Sequence, residues 1–257
     1  QSGLAMDIAI GAGSTHTCLL DNGNSVWCWG NNSEGQLGLG NNTSQASPVQ
    51  VPGVVATLIG AGRGHTCAKT SSDGLTCWGS NEYGQFGSGN KVSSTSPVTT
   101  TMPTDIQKLA MGVSHSCIIG VDQQLWCFGA NKDGQLGVGD NADKTMPHAV
   151  MSGIQNAGAG YKHTCAVDLE FKLYCWGKSS WGQLGTGVDR VVGYNLPREI
   201  KLFRNQAVQV SLGMYHTCAV DEFGKLFCWG KGVYGQIGNN SYDDVSSPVM
   251  VQDISFD

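Results

Sequence analysis

Five times along a chain of 257 residues the same run returns: a glycine, two variable residues, a histidine, a hydroxyl residue and a cysteine. The five cores are His16-Thr17-Cys18, His65-Thr66-Cys67, His115-Ser116-Cys117, His163-Thr164-Cys165 and His216-Thr217-Cys218, in steps of 49, 50, 48 and 53 residues. Ten residues after each cysteine, with nine between, comes a second one, in Cys28-Trp29-Gly30, Cys77-Trp78-Gly79, Cys127-Phe128-Gly129, Cys175-Trp176-Gly177 and Cys228-Trp229-Gly230. A Gly-Gln-apolar-Gly run follows, and Pro48, Pro97, Pro147, Pro197 or Pro248 opens the last segment. A fixed period of this length means one supersecondary unit stacked on copies of itself. The chain thus divides into a single domain, 1–257, of five repeats at approximately 1–48, 49–97, 98–147, 148–197 and 198–257.

Each unit predicts four strands. Strand A is the apolar stretch before the histidine, such as Val54 to Ile59. Strand B starts at the histidine, strand C ends at Trp-Gly and strand D follows the proline, as in Pro48 to Val51. Turn residues such as Asp21-Asn22-Gly23-Asn24, Ser72-Asp73-Gly74 and Glu222-Phe223-Gly224 make B and C an antiparallel hairpin. Pairing Cys18 with Cys28 then sets Leu19 opposite Trp27, Thr17 opposite Trp29 and His16 opposite Gly30. Glycine at 37 positions and charged residues at only 14% suit short strands and tight turns. Both hairpin faces are largely apolar, so each sheet must stack on neighbours, as blades do in a β-propeller. The fold class is all-β: a propeller of five four-stranded antiparallel blades, either a five-bladed ring or part of a larger one. Lys69 breaks the apolar pattern and predicts a wetter spot.

The ten cysteines also bear on compartment. Their spacing is too wide for the short ligand pairs of a zinc site. It reads as five local disulfides, Cys18–Cys28, Cys67–Cys77, Cys117–Cys127, Cys165–Cys175 and Cys218–Cys228, formed in an oxidising compartment. N-glycosylation sequons at Asn31, within Asn41 to Ser44 and at Asn239 add a little to a secreted reading. The chain opens at Gln1 in polar sequence without a signal peptide, which reads as a mature or trimmed chain. A net charge of -5 gives no footprint for nucleic acid, and no apolar run is long enough for a membrane helix.

Gly-x-x-His-Thr-Cys-Ala, Cys-Trp-Gly-x-Asn and Gly-Gln-Leu-Gly-x-Gly together resemble the repeats of the regulator of chromosome condensation family. The resemblance implies a β-propeller, commonly of seven blades. The paired cysteines are similar to those of its extracellular members, including the crinkly-type plant receptor kinases. The fifth unit departs from the pattern, with Gly238-Asn239-Asn240 in place of the final Gly-x-Gly, and this is expected to mark ring closure.

The five aligned histidines read as structural groups bonding backbone near Gly30 and its equivalents rather than as a metal or pH-sensing ring. His148 lies outside the pattern. Asp21, Asp73, Asp122, Asp168 and Asp221 read as turn formers, and the acidic stretches lack the spacing of a calcium loop. No catalytic constellation, cofactor motif or metal site appears, so the chain is expected not to be an enzyme. Function should lie where the copies differ. The A–B and C–D loops share one end of the propeller. There the variable positions place Tyr161, Lys162, Trp181, Met214, Tyr215 and Tyr234 on adjacent units, with Arg63 and Tyr83 nearby. Aromatic and methionine enrichment is typical of binding hot spots. The expected function is a secreted, non-catalytic module binding a protein, as an adhesin, receptor ectodomain or inhibitor. A bacterial relative that inhibits β-lactamases through its propeller face supports this. The expected location is secreted, extracellular or periplasmic, alone or within a larger surface protein. The alternative is a multivalent lectin for cell-surface glycans, in which Asn31, Asn81 or Asn131 would bond sugar hydroxyls. Nucleotide exchange on a small GTPase, known for one branch of the family, fits poorly with oxidised cysteines, an acidic chain and even repeats that leave no room for an inserted wedge.

Overall fold

The computed structural model describes residues 9–70, 74–188, 192–201 and 206–251. All regular structure in these residues is β. The first blade holds β1 (Ile10–Ala12), β2 (His16–Leu20), β3 (Ser25–Gly30) and the first part of β4 (Gln45–Ala61). β4 runs on into the second blade, which adds β5 (His65–Thr70), β6 (Gly74–Gly79) and β7 (Ser94–Thr101). The third holds β8 (Ile106–Met111), β9 (His115–Gly120), β10 (Leu125–Gly129) and β11 (Lys144–Met151). The fourth holds β12 (Ile154–Ala159), β13 (His163–Asp168), β14 (Leu173–Lys178) and β15 (Gly193–Ile200). The fifth holds β16 (Ala207–Leu212), β17 (His216–Asp221), β18 (Leu226–Gly230) and β19 (Val245–Met250). Within each blade the strands pair antiparallel in sequence order. The A strands are innermost: Ala12, Ala61, Met111, Ala159 and Leu212 line one shared axial channel.

The hairpin register is the predicted one. Cys18 faces Cys28, Leu19 faces Trp27, Thr17 faces Trp29 and His16 faces Gly30. All ten cysteines are bridged within their own blades, with Cα–Cα distances of 4.1–4.2 Å. Asp21, Asp168 and Asp221 each take two backbone N–H groups of the B–C turn on Oδ1, and Asp122 takes one. Asp73 lies outside the described residues. The D strands begin earlier than predicted, three residues before Pro48 and Pro97. Each D strand is the outer edge of its blade, where a residue without an N–H costs no ladder bond. Lys69 is half-buried, where the equivalent Leu20, Ile119 and Val167 are buried, in keeping with the wetter spot expected there. Its ammonium is held between the Asp105 carboxylate (2.6 Å) and the Ile106 carbonyl (3.0 Å) of the next blade.

Blades stack face to face, and the core is split among their junctions. Four apolar clusters are present, one at each junction between consecutive blades. In each, the disulfide face of one blade meets the aromatic face of the next. Cys18, Leu20, Val26 and Cys28, for example, pack on Ala68 and Trp78. A polar interlock repeats beside every cluster. The histidine Nε2 meets the Ser or Thr hydroxyl of the following blade: His16–Thr66 2.7 Å, His65–Ser116 3.0 Å, His115–Thr164 2.9 Å and His163–Thr217 3.0 Å. That hydroxyl donates to the carbonyl of Gln36, Gln85, Gln135 or Gln183 in the first blade. Trp78, Trp176 and Trp229 donate their indole N–H to the same carbonyls.

The histidines are therefore structural, but their partner is a neighbouring hydroxyl rather than backbone. Among the described residues no such junction joins the fifth blade to the first. Trp29 and His216, which would meet there, are only half-buried, whereas Trp78 and His163 are fully buried. Over the described residues the five blades form an arc. At Gly238-Asn239-Asn240 no ring closure is seen among these residues: Gly238 faces Val251, while the equivalent Gly38 packs on the Trp78 indole.

Candidate functional site

One end of the arc carries the A–B turns and the C–D loops. The A–B turn is tight, because the glycine N–H bonds back to the histidine carbonyl, as in Gly13 to His16. In the first three blades the C–D loop is fixed from inside by a buried asparagine. Asn32, fully buried, accepts the Leu37 N–H and donates to the Asn41 and Thr43 carbonyls. Asn81 and Asn131 do the same in their blades. They are buried and committed to the loop, so they cannot bond sugar hydroxyls as the lectin alternative expected. Asn31 lies one position off this register; it is exposed and accepts the Ser33 N–H. The glutamine of Gly-Gln then accepts, on Oε1, the N–H of the residue at the loop crest. This bond holds Glu34, Tyr83, Asp133, Trp181 and Tyr234 in equivalent places. The backbone is thus repeated while the crest side chain is free to vary.

The crest and turn residues form two joined groups. A cleft of about 370 Å³ is lined by Glu34, Arg63, Tyr83, Asp133, Tyr161 and Lys162. Lys162 reaches Asp133 at 2.9 Å, and this bond raises the lysine pKa; Lys178 approaches the same carboxylate at 3.5 Å. Tyr161 then meets Tyr215 edge to face, with centroids 5.4 Å apart. On the far side of Tyr215, the Lys231 ammonium sits over three rings: Trp181 at 4.7 Å, Tyr215 at 5.3 Å and Tyr234 at 5.6 Å. Each such contact is worth about 0.5–1 kcal/mol when partly exposed. Trp181 and Tyr234 remain open to solvent, at 38% and 81%. Met214 is exposed at the mouth of the axial channel beside Arg63 and Tyr161.

All eight sequence-predicted residues therefore lie on one end. Arg63, Tyr83, Tyr161 and Lys162 share the cleft, Trp181, Tyr215 and Tyr234 share the lysine, and Met214 stands at the channel. Sequence reading missed Lys178 and Lys231. Both directly follow the Trp-Gly pair, where the other repeats have Asn31, Ser80 and Ala130. That variation was the available signal.

Comparison with known proteins supplies the wider setting. A family described as RCC1-like domain matches residues 5–256. The human probable E3 ubiquitin-protein ligase HERC4 is 46% identical over 44 residues, 17% of this chain and 4% of that protein. Human WBSCR16 superposes with a TM-score of 0.84 at 23% identity, over 96% of this chain and 68% of its own. Yeast RCC1 (Prp20), solved bound to Kap60, gives 0.83 at 20% identity over 96% and 64%. The CRINKLY WD40 ectodomain of the Arabidopsis thaliana receptor kinase ACR4 gives 0.52 at 18% identity over 94% and 65%. At these identities the structures speak for the fold alone, and the chain spans only a small part of the curated relatives it matches.

Proposed function

Since this chain belongs to the RCC1-like domain family, we propose that it is a non-catalytic, extracellular recognition module that binds a protein through the loop end of its fourth and fifth blades. One observation carries the reading. On a scaffold that holds the crest of all five loops by the same glutamine bond, the variable positions of two adjacent blades gather four aromatic rings with Lys162 and Lys231 into one cluster. Exposed aromatic groups next to cations are the usual anchors of protein interfaces. Five disulfides favour an oxidising compartment. The fold likeness to a receptor-kinase ectodomain is consistent with that location. A non-catalytic role is supported by the chemistry at hand: no thiol is free, and four of the five repeat histidines are held in blade junctions.

The test is a photo-crosslinking residue placed at Tyr234 and, separately, at Phe223 on the opposite end, with the labelled chain exposed to surfaces of its source cells. Protein adducts from position 234 and not from 223 are expected. A glycan array on the same material separates the lectin alternative. A sugar class bound on the array with no protein adduct would overturn the protein-binding reading.

A further inference from the structure

Lys231 stands apart from the other lysines of the cluster. Lys162 and Lys178 both lean on Asp133. Lys231 has three ring faces around its ammonium and no carboxylate partner among the described residues. Among these three lysines the one carboxylate in contact, Asp133, is taken by Lys162 and Lys178, and Lys231 has no share in it. The nearby Asp244 accepts the Gly232 N–H on Oδ1 and makes no ion pair with Lys231 among the described residues. The rings shield the ammonium from water on their sides and leave it open toward solvent past Trp181 and Tyr234. A partly desolvated cation gains more from an arriving anion than a fully hydrated one.

We infer that Lys231 is the anion-reading residue of this face, and that the partner presents a carboxylate-rich peptide segment whose acidic side chain meets Lys231 while flanking aromatic or aliphatic side chains pack on Trp181 and Tyr234. The inference rests on the protein-binding face proposed above and names its partner chemistry. One feature favours an acidic peptide over a cationic ligand: a cation would have to displace Lys231 from the rings, whereas an acidic side chain meets it there. The open rings of Trp181 and Tyr234 beside it suit the apolar side chains that a peptide also carries.

The experiment uses the whole chain and a fluorescein-labelled peptide of alternating Glu and Tyr, read by fluorescence polarisation. Wild type is expected to bind, with affinity falling as NaCl rises from about 0.05 M to about 0.5 M. Lys231→Met is expected to weaken binding about tenfold and to flatten the salt dependence, as for loss of one charge-assisted bond. Lys231→Arg should stay within about threefold of wild type, because the charge and ring contacts persist. Lys225→Met, at the opposite end, should change nothing. Equal affinity for Lys231→Met and wild type overturns the inference. So does absence of peptide binding, or binding of heparin in place of the peptide. Thermal melts of each variant separate loss of the site from loss of the fold. If the peptide fails while the crosslinker at Tyr234 still captures a protein, only the carboxylate assignment falls; if both fail, the face itself is wrong.

Discussion

At the scale of single residues, the junction histidines show how one hydrogen-bond chain fixes a charge state. The Thr66 hydroxyl has one proton and gives it to the Gln36 carbonyl. His16 must therefore donate from Nε2, which leaves Nδ1 bare; it is buried and unpaired, as it is in His65, His115 and His163. A second proton would sit on Nδ1 with no acceptor. Burial accordingly depresses the pKa to about 4 in His16 and His115 and to about 3 in His65 and His163. The unfolded chain, with ordinary values near 6.5, binds more protons than the native one as pH falls. The stability these groups contribute is complete above about pH 6.5 and is lost toward the native values near 3–4. Urea unfolding at successive pH values should show this loss, with each histidine adding up to about 1.4 kcal/mol per pH unit. His115→Gln should reduce the slope by one such share; an unchanged slope would remove His115 from the acid response. The glycine three residues before each histidine is as constrained. A Cβ on Gly62 would overlap the His65 ring and the Gly112 carbonyl. Gly62→Ala should cost about 1–3 kcal/mol, measured by denaturant titration.

At the scale of elements, the sequence made the B–C hairpin readable down to its register. The cysteine spacing and the turn residues act over about ten residues, a span in which chain geometry leaves few choices. The same locality explains what stayed hidden. The histidine partner sits about fifty residues away, in the next blade, and nothing in one unit says which face of a neighbour it will meet. Strand D also began before its proline, since edge position is a property of the assembled sheet. Repetition of the junction permits a direct comparison. Trp78 is fully buried and bonded to Gln36, whereas Trp29 is half-buried without such a partner. Trp78→Ala should therefore cost about 3–5 kcal/mol, and Trp29→Ala markedly less. Equal losses in calorimetric or denaturant unfolding would mean that the first blade is packed on its open face as well.

At the scale of the whole molecule, five blades make four junctions among the described residues, and two unlike faces are left over there. One is the aromatic face of blade one, with Thr17, Leu19 and Trp27 half-buried; the other is the disulfide face of blade five, where Val220 and Leu226 are half-buried. A charge should be tolerated there and not inside the arc. Leu19→Lys should leave the fold intact, and Ala68→Lys, at the equivalent but sealed position, should unfold it. Circular dichroism of the two variants checks this. The candidate site is another whole-molecule feature. Tyr161, Trp181, Tyr215 and Tyr234 could be picked out by comparing units, because the scaffold between them is constant. Lys231 could not be placed over their rings without the fold, since its contacts come from two blades. The loop crests that differ in side chain are held by one shared glutamine bond, and that contrast is why recognition is proposed for this end. The most direct test is the affinity of the partner captured through position 234 for the double variant Trp181→Ala, Tyr234→Ala beside wild type. A loss of about thirtyfold or more with an unchanged melting temperature is expected for two hot-spot rings. Unchanged affinity would contradict the assignment and move recognition off this face.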